Sequence, residues 1–145
     1  MKRTPIQQYQ SSLRRKPAKS ESTLQAAVVT WCRGLGAGMV KGRFLSVPNG
    51  WFAFGGIKER AMASNKLRRE GMLPGAPDLI FWGRGGRVLW IEMKLGTSGR
   101  LTPDQKAIHD MLHEDGHTVV VARYFIDAVN AITAFYRPVE AVKQH

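Results

Sequence analysis

Two short apolar runs, Leu79-Ile80-Phe81-Trp82 and Arg87-Val88-Leu89-Trp90-Ile91-Glu92-Met93, flank the glycine cluster Gly83-Arg84-Gly85-Gly86. Runs rich in β-branched and aromatic residues around such a cluster specify a β-hairpin. The hairpin constrains the fold more than any other stretch, because a one-residue slip in pairing turns every side chain to the other face. Leu89, Ile91 and Met93 share one face, suited to a core, while Glu92 and Lys94 share the opposite one. Asp78 stands at the mouth of the first strand. If Gly83 pairs with Arg87 around a three-residue loop, Asp78 falls opposite Glu92, and the three polar groups converge. A four-residue loop pairing Trp82 with Arg87 would instead set Asp78 opposite Ile91. Three-residue hairpins want a left-handed glycine, which Gly85 or Gly86 supplies, so the converging register is predicted.

The flanking segments predict the remaining elements. Ser20 reads as the N-cap of a helix reaching Arg33, closed by Gly34 and Gly36, with Leu24, Val28 and Trp31 at helical spacing and Cys32 a small buried side chain. Glu21 lies in its first turn, where the helix dipole favours a carboxylate. Residues 43–47 read as a strand, Pro48-Asn49-Gly50 as a turn and residues 51–56 as an aromatic, glycine-rich loop. A second helix over residues 57–70, ended by Gly71, carries Lys58, Arg60, Lys66, Arg68 and Arg69 against Glu59 and Glu70. Thr102, Pro103 and Gln105 are an N-cap, a first-turn proline and a capping-box partner, opening a helix whose expected buried stripe is Ala107, Ile108, Met111 and Leu112. A valine-rich strand over residues 117–124 precedes a last helix, expected to be capped by Asp127 and to reach Tyr136. His109, His113 and His117 share a four-residue spacing, but Gly116 interrupts it, and His109 and His113 read as polar surface rather than as zinc ligands. The order predicts a mixed α/β fold, a central sheet flanked by helices. Residues 1–19 are expected to be a flexible basic arm, residues 20–137 the domain, and residues 138–145 a tail.

A formal net charge of +11 over 145 residues favours a polyanionic partner, nucleic acid ahead of an acidic membrane surface. No apolar run approaches the roughly 18 residues of a membrane span. The basic start lacks the apolar segment of a secretory signal, and a single cysteine excludes an intrachain disulfide. The expected location is therefore the cytoplasm. The five cations of the second helix are candidate phosphate contacts.

Two carboxylates and a lysine converging at strand ends suit metal-assisted phosphodiester hydrolysis. Mg²⁺ prefers hard oxygens and is commonly held by one or two carboxylates plus substrate phosphate. Asp78 and Glu92 supply those oxygens, with the backbone carbonyl of Met93 between them. Lys94 would orient water and add positive charge near the scissile phosphate. Glu-x-Lys by itself also occurs on ordinary solvated strands. A non-catalytic DNA-binding module and a sequence-specific restriction-type nuclease therefore stay open beside a structure-selective endonuclease.

Pro77-Asp78 followed by Glu92-Met93-Lys94 at the end of a hairpin resembles the PD-(D/E)xK nuclease superfamily, and more narrowly the virus-type replication-repair nuclease (VRR-NUC) domain. The resemblance extends over Glu21, Pro48-Asn49-Gly50, the basic helix leading into Gly71, Gly75-Ala76-Pro77-Asp78-Leu79, Leu101-Thr102-Pro103-Asp104-Gln105 and Gly116-His117. It implies an α-β-β-β-α-β core and a Mg²⁺- or Mn²⁺-dependent DNA endonuclease. It also implies that Glu21 approaches the metal site and that Gln105 lines it. Stand-alone members are similar to Holliday junction resolvases acting as homodimers, so a branched DNA and a second copy of the chain are the partners implied.

Overall fold

The computed structural model describes residues 18–48 and 55–137. The expected basic arm up to residue 17, Asn49 and Gly50 of the expected turn, residues 51–54 and the tail from residue 138 lie outside the described residues.

Helix α1 (Glu21–Arg33) starts where the sequence predicts, with the Ser20 hydroxyl accepting the Thr23 N–H at 3.1 Å. Its buried stripe is Leu24, Val28, Trp31 and Cys32. Burial pushes the Cys32 thiol up to about 12, so it stays a neutral packing group. A one-turn helix that periodicity did not predict, α2 (Ala37–Val40), follows directly. Gly36 allows it: a Cβ there would lie 2.7 Å from the Trp31 ring, so only glycine lets the chain turn across the indole.

Strand β1 (Phe44–Ser46) and helix α3 (Ile57–Arg69) come next, then β2 (Leu79–Trp82), β3 (Val88–Met93), α4 (Pro103–Glu114), β4 (Thr118–Ala122) and α5 (Phe125–Tyr136). The sheet order is β1-β2-β3-β4, with β2 antiparallel to both β1 and β3 and β4 parallel to β3. A parallel neighbour needs a crossover, and α4 supplies it. Leu89, Ile91 and Met93 join the core with residues of α1 and α5. Glu92, pointing the other way, meets Gln105 and His109 of α4. The sheet therefore lies between α1 and α5 on one face and α4 on the other: the predicted mixed α/β architecture, with the α-β-β-β-α-β order.

Two expectations need correction. Asp127 is not the N-cap of α5: the helix begins at Phe125, and the Asp127 carboxylate reaches back from its first turn to accept the N–H groups of Arg123 (3.0 Å) and Tyr124 (2.9 Å). Nor do Ala107, Ile108, Met111 and Leu112 form a buried stripe. Ala107 is exposed, Met111 is 45% exposed, and Ile108 and Leu112 are half-buried, whereas His109 is only 6% exposed. Helix α4 lies over the polar face of β3, so it turns its polar residues inward to meet Glu92. Helix α3 buries no side chain along its length.

Candidate active site

The hairpin adopts the converging register. Leu79 pairs with Ile91 and Trp82 with Val88, and the Gly83 N–H donates to the Arg87 carbonyl at 3.1 Å. The three-residue loop Arg84–Gly86 places Gly85 (φ 73°) and Gly86 (φ 70°) in the left-handed region. Asp78 comes one residue before the Leu79–Ile91 pair and Glu92 one residue after it, and their carboxyl groups lie close enough to interact.

Both neighbouring strands hold Asp78. Its N–H donates to the Ile91 carbonyl at 3.0 Å, and its carbonyl accepts the Val47 N–H at 2.8 Å. One carboxylate oxygen, Oδ2, accepts the Met93 N–H at 2.7 Å, tying the side chain across to β3. The approach to Asp78 passes close under the start of α4. Gly75 (φ 86°) packs so tightly there that a Cβ would lie 2.6 Å from the Asp104 backbone.

Glu92 is 2% exposed. Its Oε1 accepts from Gln105 Nε2 at 2.7 Å and lies 3.5 Å from Lys94 Nζ. Gln105 is fixed by the capping box that the sequence predicts: its Oε1 accepts the Thr102 N–H (2.9 Å) and its own N–H donates to the Thr102 hydroxyl (3.2 Å). One residue thus starts α4 and grips Glu92. Lys94, 7% exposed, also lies 3.9 Å from Glu21 Oε1, so Glu21 reaches the site through the lysine.

Electrostatics in this pocket disfavour ionised carboxyls. Burial, then the charge of Asp78, pushes Glu92 up to about 7, with Lys94 pulling against them. Burial also raises Asp78, opposed by the Met93 N–H, and Glu21 and Lys94 add smaller opposite effects. His109 is lowered from its ordinary value, by burial first and the neighbouring His113 second.

Among the described residues no three His, Cys, Asp or Glu side chains form a cluster able to hold a metal ion. The pair that is present still fits one hard divalent cation. Its donors are oxygens, the charge of Asp78 raises the pKa of Glu92, and Glu92 Oε2 is buried without a hydrogen-bond partner among the described residues. An ion needing one or two carboxylates, with water and phosphate completing its shell, matches that donor set.

The structure brings Asp78, Glu92, Lys94 and Gln105 together, with Glu21 at the edge. Lys58, Arg60, Lys66, Arg68 and Arg69 are exposed along α3. Among the described residues none of them has an ion pair or hydrogen bond to that cluster. Lys66 lies 3.7 Å from Glu70, and Arg60 donates to the Gly55 carbonyl at 3.2 Å. His109 is the site neighbour that sequence reasoning placed on the surface. The available signal was its position one turn after Gln105, on the same helical face.

Comparison with known proteins bears on this arrangement. Residues 57–124 match the VRR-NUC domain. The matched stretch contains α3, Asp78, Glu92, Lys94, Gln105 and His109; Glu21 precedes it. A solved structure described as a VRR_NUC domain protein superposes with a TM-score of 0.62 at 24% identity, covering 79% of this chain and 86% of that one. At that identity the likeness is one of fold. No curated protein matches the chain.

Proposed function

We propose that the chain is a Mg²⁺- or Mn²⁺-dependent, structure-selective DNA endonuclease that hydrolyses phosphodiester bonds and resolves four-way (Holliday) junctions as a homodimer. The observation that carries this reading is the closeness of the Asp78 and Glu92 carboxyl groups at the ends of β2 and β3, with Lys94 Nζ 3.5 Å from the Glu92 carboxylate. The side chains of Asp78 and Glu92 and the carbonyl of Met93 would hold the cation, with Glu21 on the outer side. When bound, such an ion supplies hydroxide at neutral pH and offsets the negative charge that builds on the phosphoryl oxygens.

The chain's own groups do the rest. Unbalanced, the charges of Asp78 and Glu92 would repel a DNA backbone; with a cation held between them, the same pair would attract it. Lys94, shared between Glu92 and Glu21, orients the attacking water and adds positive charge beside the scissile phosphate. Gln105 fixes the Glu92 carboxylate. Lys58, Arg60, Lys66, Arg68 and Arg69 hold phosphates farther along the duplex. A pair of copies related by a two-fold axis is the simplest way to cut opposed strands of a four-way junction.

The test is cleavage of a labelled four-way junction with Mg²⁺ or Mn²⁺. Cutting that disappears in Asp78→Ala and Lys94→Ala while junction binding persists supports the endonuclease. Binding with no cutting under either ion identifies a non-catalytic DNA-binding module. Cutting of plain duplex at one short sequence, with no preference for branches, identifies a restriction-type enzyme.

A further inference from the structure

Both oxygens of Glu92 face α4. Oε1 takes the Gln105 amide at 2.7 Å, and Oε2 lies 3.6 Å from His109 Nε2. Oε2 and Nε2 are each buried and have no hydrogen-bond partner among the described residues. These two unpartnered polar atoms stand a few tenths of an ångström beyond hydrogen-bond distance from one another, and buried polar groups are seldom left unpaired. Gln105 and His109 stand one turn apart on the same face of α4, so both donors ride on one rigid element.

We infer that His109 is a positioning residue for Glu92: as the Nε2–H tautomer it donates to Oε2, and with Gln105 on Oε1 it fixes the plane of the carboxylate. An ionised carboxylate offers about four lone-pair sites. With one on each oxygen taken by α4, the remaining ones are left for Lys94 and a cation. Donors that orient a ligand in this way contribute strongly to ion affinity. The tautomer fixes the chemistry: an Nδ1–H imidazole would turn a lone pair toward the ionised carboxylate and repel it. This inference rests on the proposed reading of Glu92 as a metal ligand.

Two measurements on the full chain test it. The imidazole ¹⁵N shifts of ion-free protein at pH 8.5, where Glu92 is ionised, should report His109 as the Nε2–H tautomer; the Nδ1–H form overturns the inference. Calorimetric titration with Mn²⁺ and with Mg²⁺ should show His109→Leu binding about 10-fold more weakly than the unsubstituted protein, with His109→Gln, whose amide reaches the same point, recovering to within about 3-fold. If His109→Leu does not fold, His109→Asn, too short to reach Oε2, takes its place. Equal ion affinity in all variants overturns the role of His109 and leaves the nuclease reading standing. An unsubstituted protein that binds neither ion overturns both.

Discussion

Replacing Glu92 with Gln should make the ion-free protein more stable at alkaline pH, although it removes a charged group from beside a lysine. Glu92 rises from 4.5 to about 7 on folding, a shift that already sets the attraction of Lys94 against burial and the charge of Asp78. The folded chain therefore binds this proton more tightly than the unfolded chain. Stability falls as pH rises from about 4.5 to about 7, and the whole cost is present above that window. Each pKa unit is about 1.36 kcal/mol, so the ionised side chain costs on the order of 3 kcal/mol at pH 8. For a chain of this size that is roughly 10 °C in Tm. Gln keeps the shape and an oxygen for the Gln105 amide, so Glu92→Gln should recover most of that amount. The gap should shrink by more than half at pH 5.5, where Glu92 is protonated in the folded state. His109, lowered on folding, contributes the opposite slope, toward acid. Calorimetric melting in EDTA at pH 8 and pH 5.5 reads the effect. A variant no more stable than its parent at pH 8, or a gap of equal size at both pH values, would refute the claim that this pocket opposes a free carboxylate.

Two further outcomes concern other parts of the chain. If α3 holds phosphates, the Arg68→Ala/Arg69→Ala double variant should flatten the slope of log affinity against log salt by about 1.8 on duplex DNA, since each contact contributes about 0.9; an unchanged slope in a filter-binding or anisotropy titration would remove these arginines from the interface. Gly75→Ala should destabilise the fold by at least about 1–3 kcal/mol, from its left-handed backbone and a contact with α4 that has no room for a methyl group; a melting temperature within 1–2 °C of the parent, a shift of roughly half a kcal/mol, would contradict that packing.

The elements most legible in the sequence are those decided by neighbours along the chain. The hairpin register follows from Gly83, Gly85 and Gly86, because loop length and left-handed backbone sites set the pairing, and the pairing sets which side chains share a face. The start of α4 is local in the same way, since Thr102, Pro103 and Gln105 satisfy each other's backbone groups within one turn. So is the presence of Asp78, Glu92 and Lys94 on one side of the ribbon.

What needed the tertiary structure was the direction each helix faces. Ala107 and Met111 look like core residues when only apolar spacing is weighed. Yet α4 packs on the side of β3 that carries Glu92, and a buried carboxylate demands hydrogen-bond donors more strongly than two apolar side chains demand burial. Gln105 and His109 therefore turn inward, Met111 turns out, and a histidine assigned to the surface becomes a neighbour of the site. The same holds for α2, which depends on Gly36 clearing the Trp31 ring, and for α5, whose first turn is set by Asp127 reaching back to Arg123 and Tyr124. Pairing along a strand is written in adjacent residues, whereas the buried side of a helix is chosen by whatever it packs against.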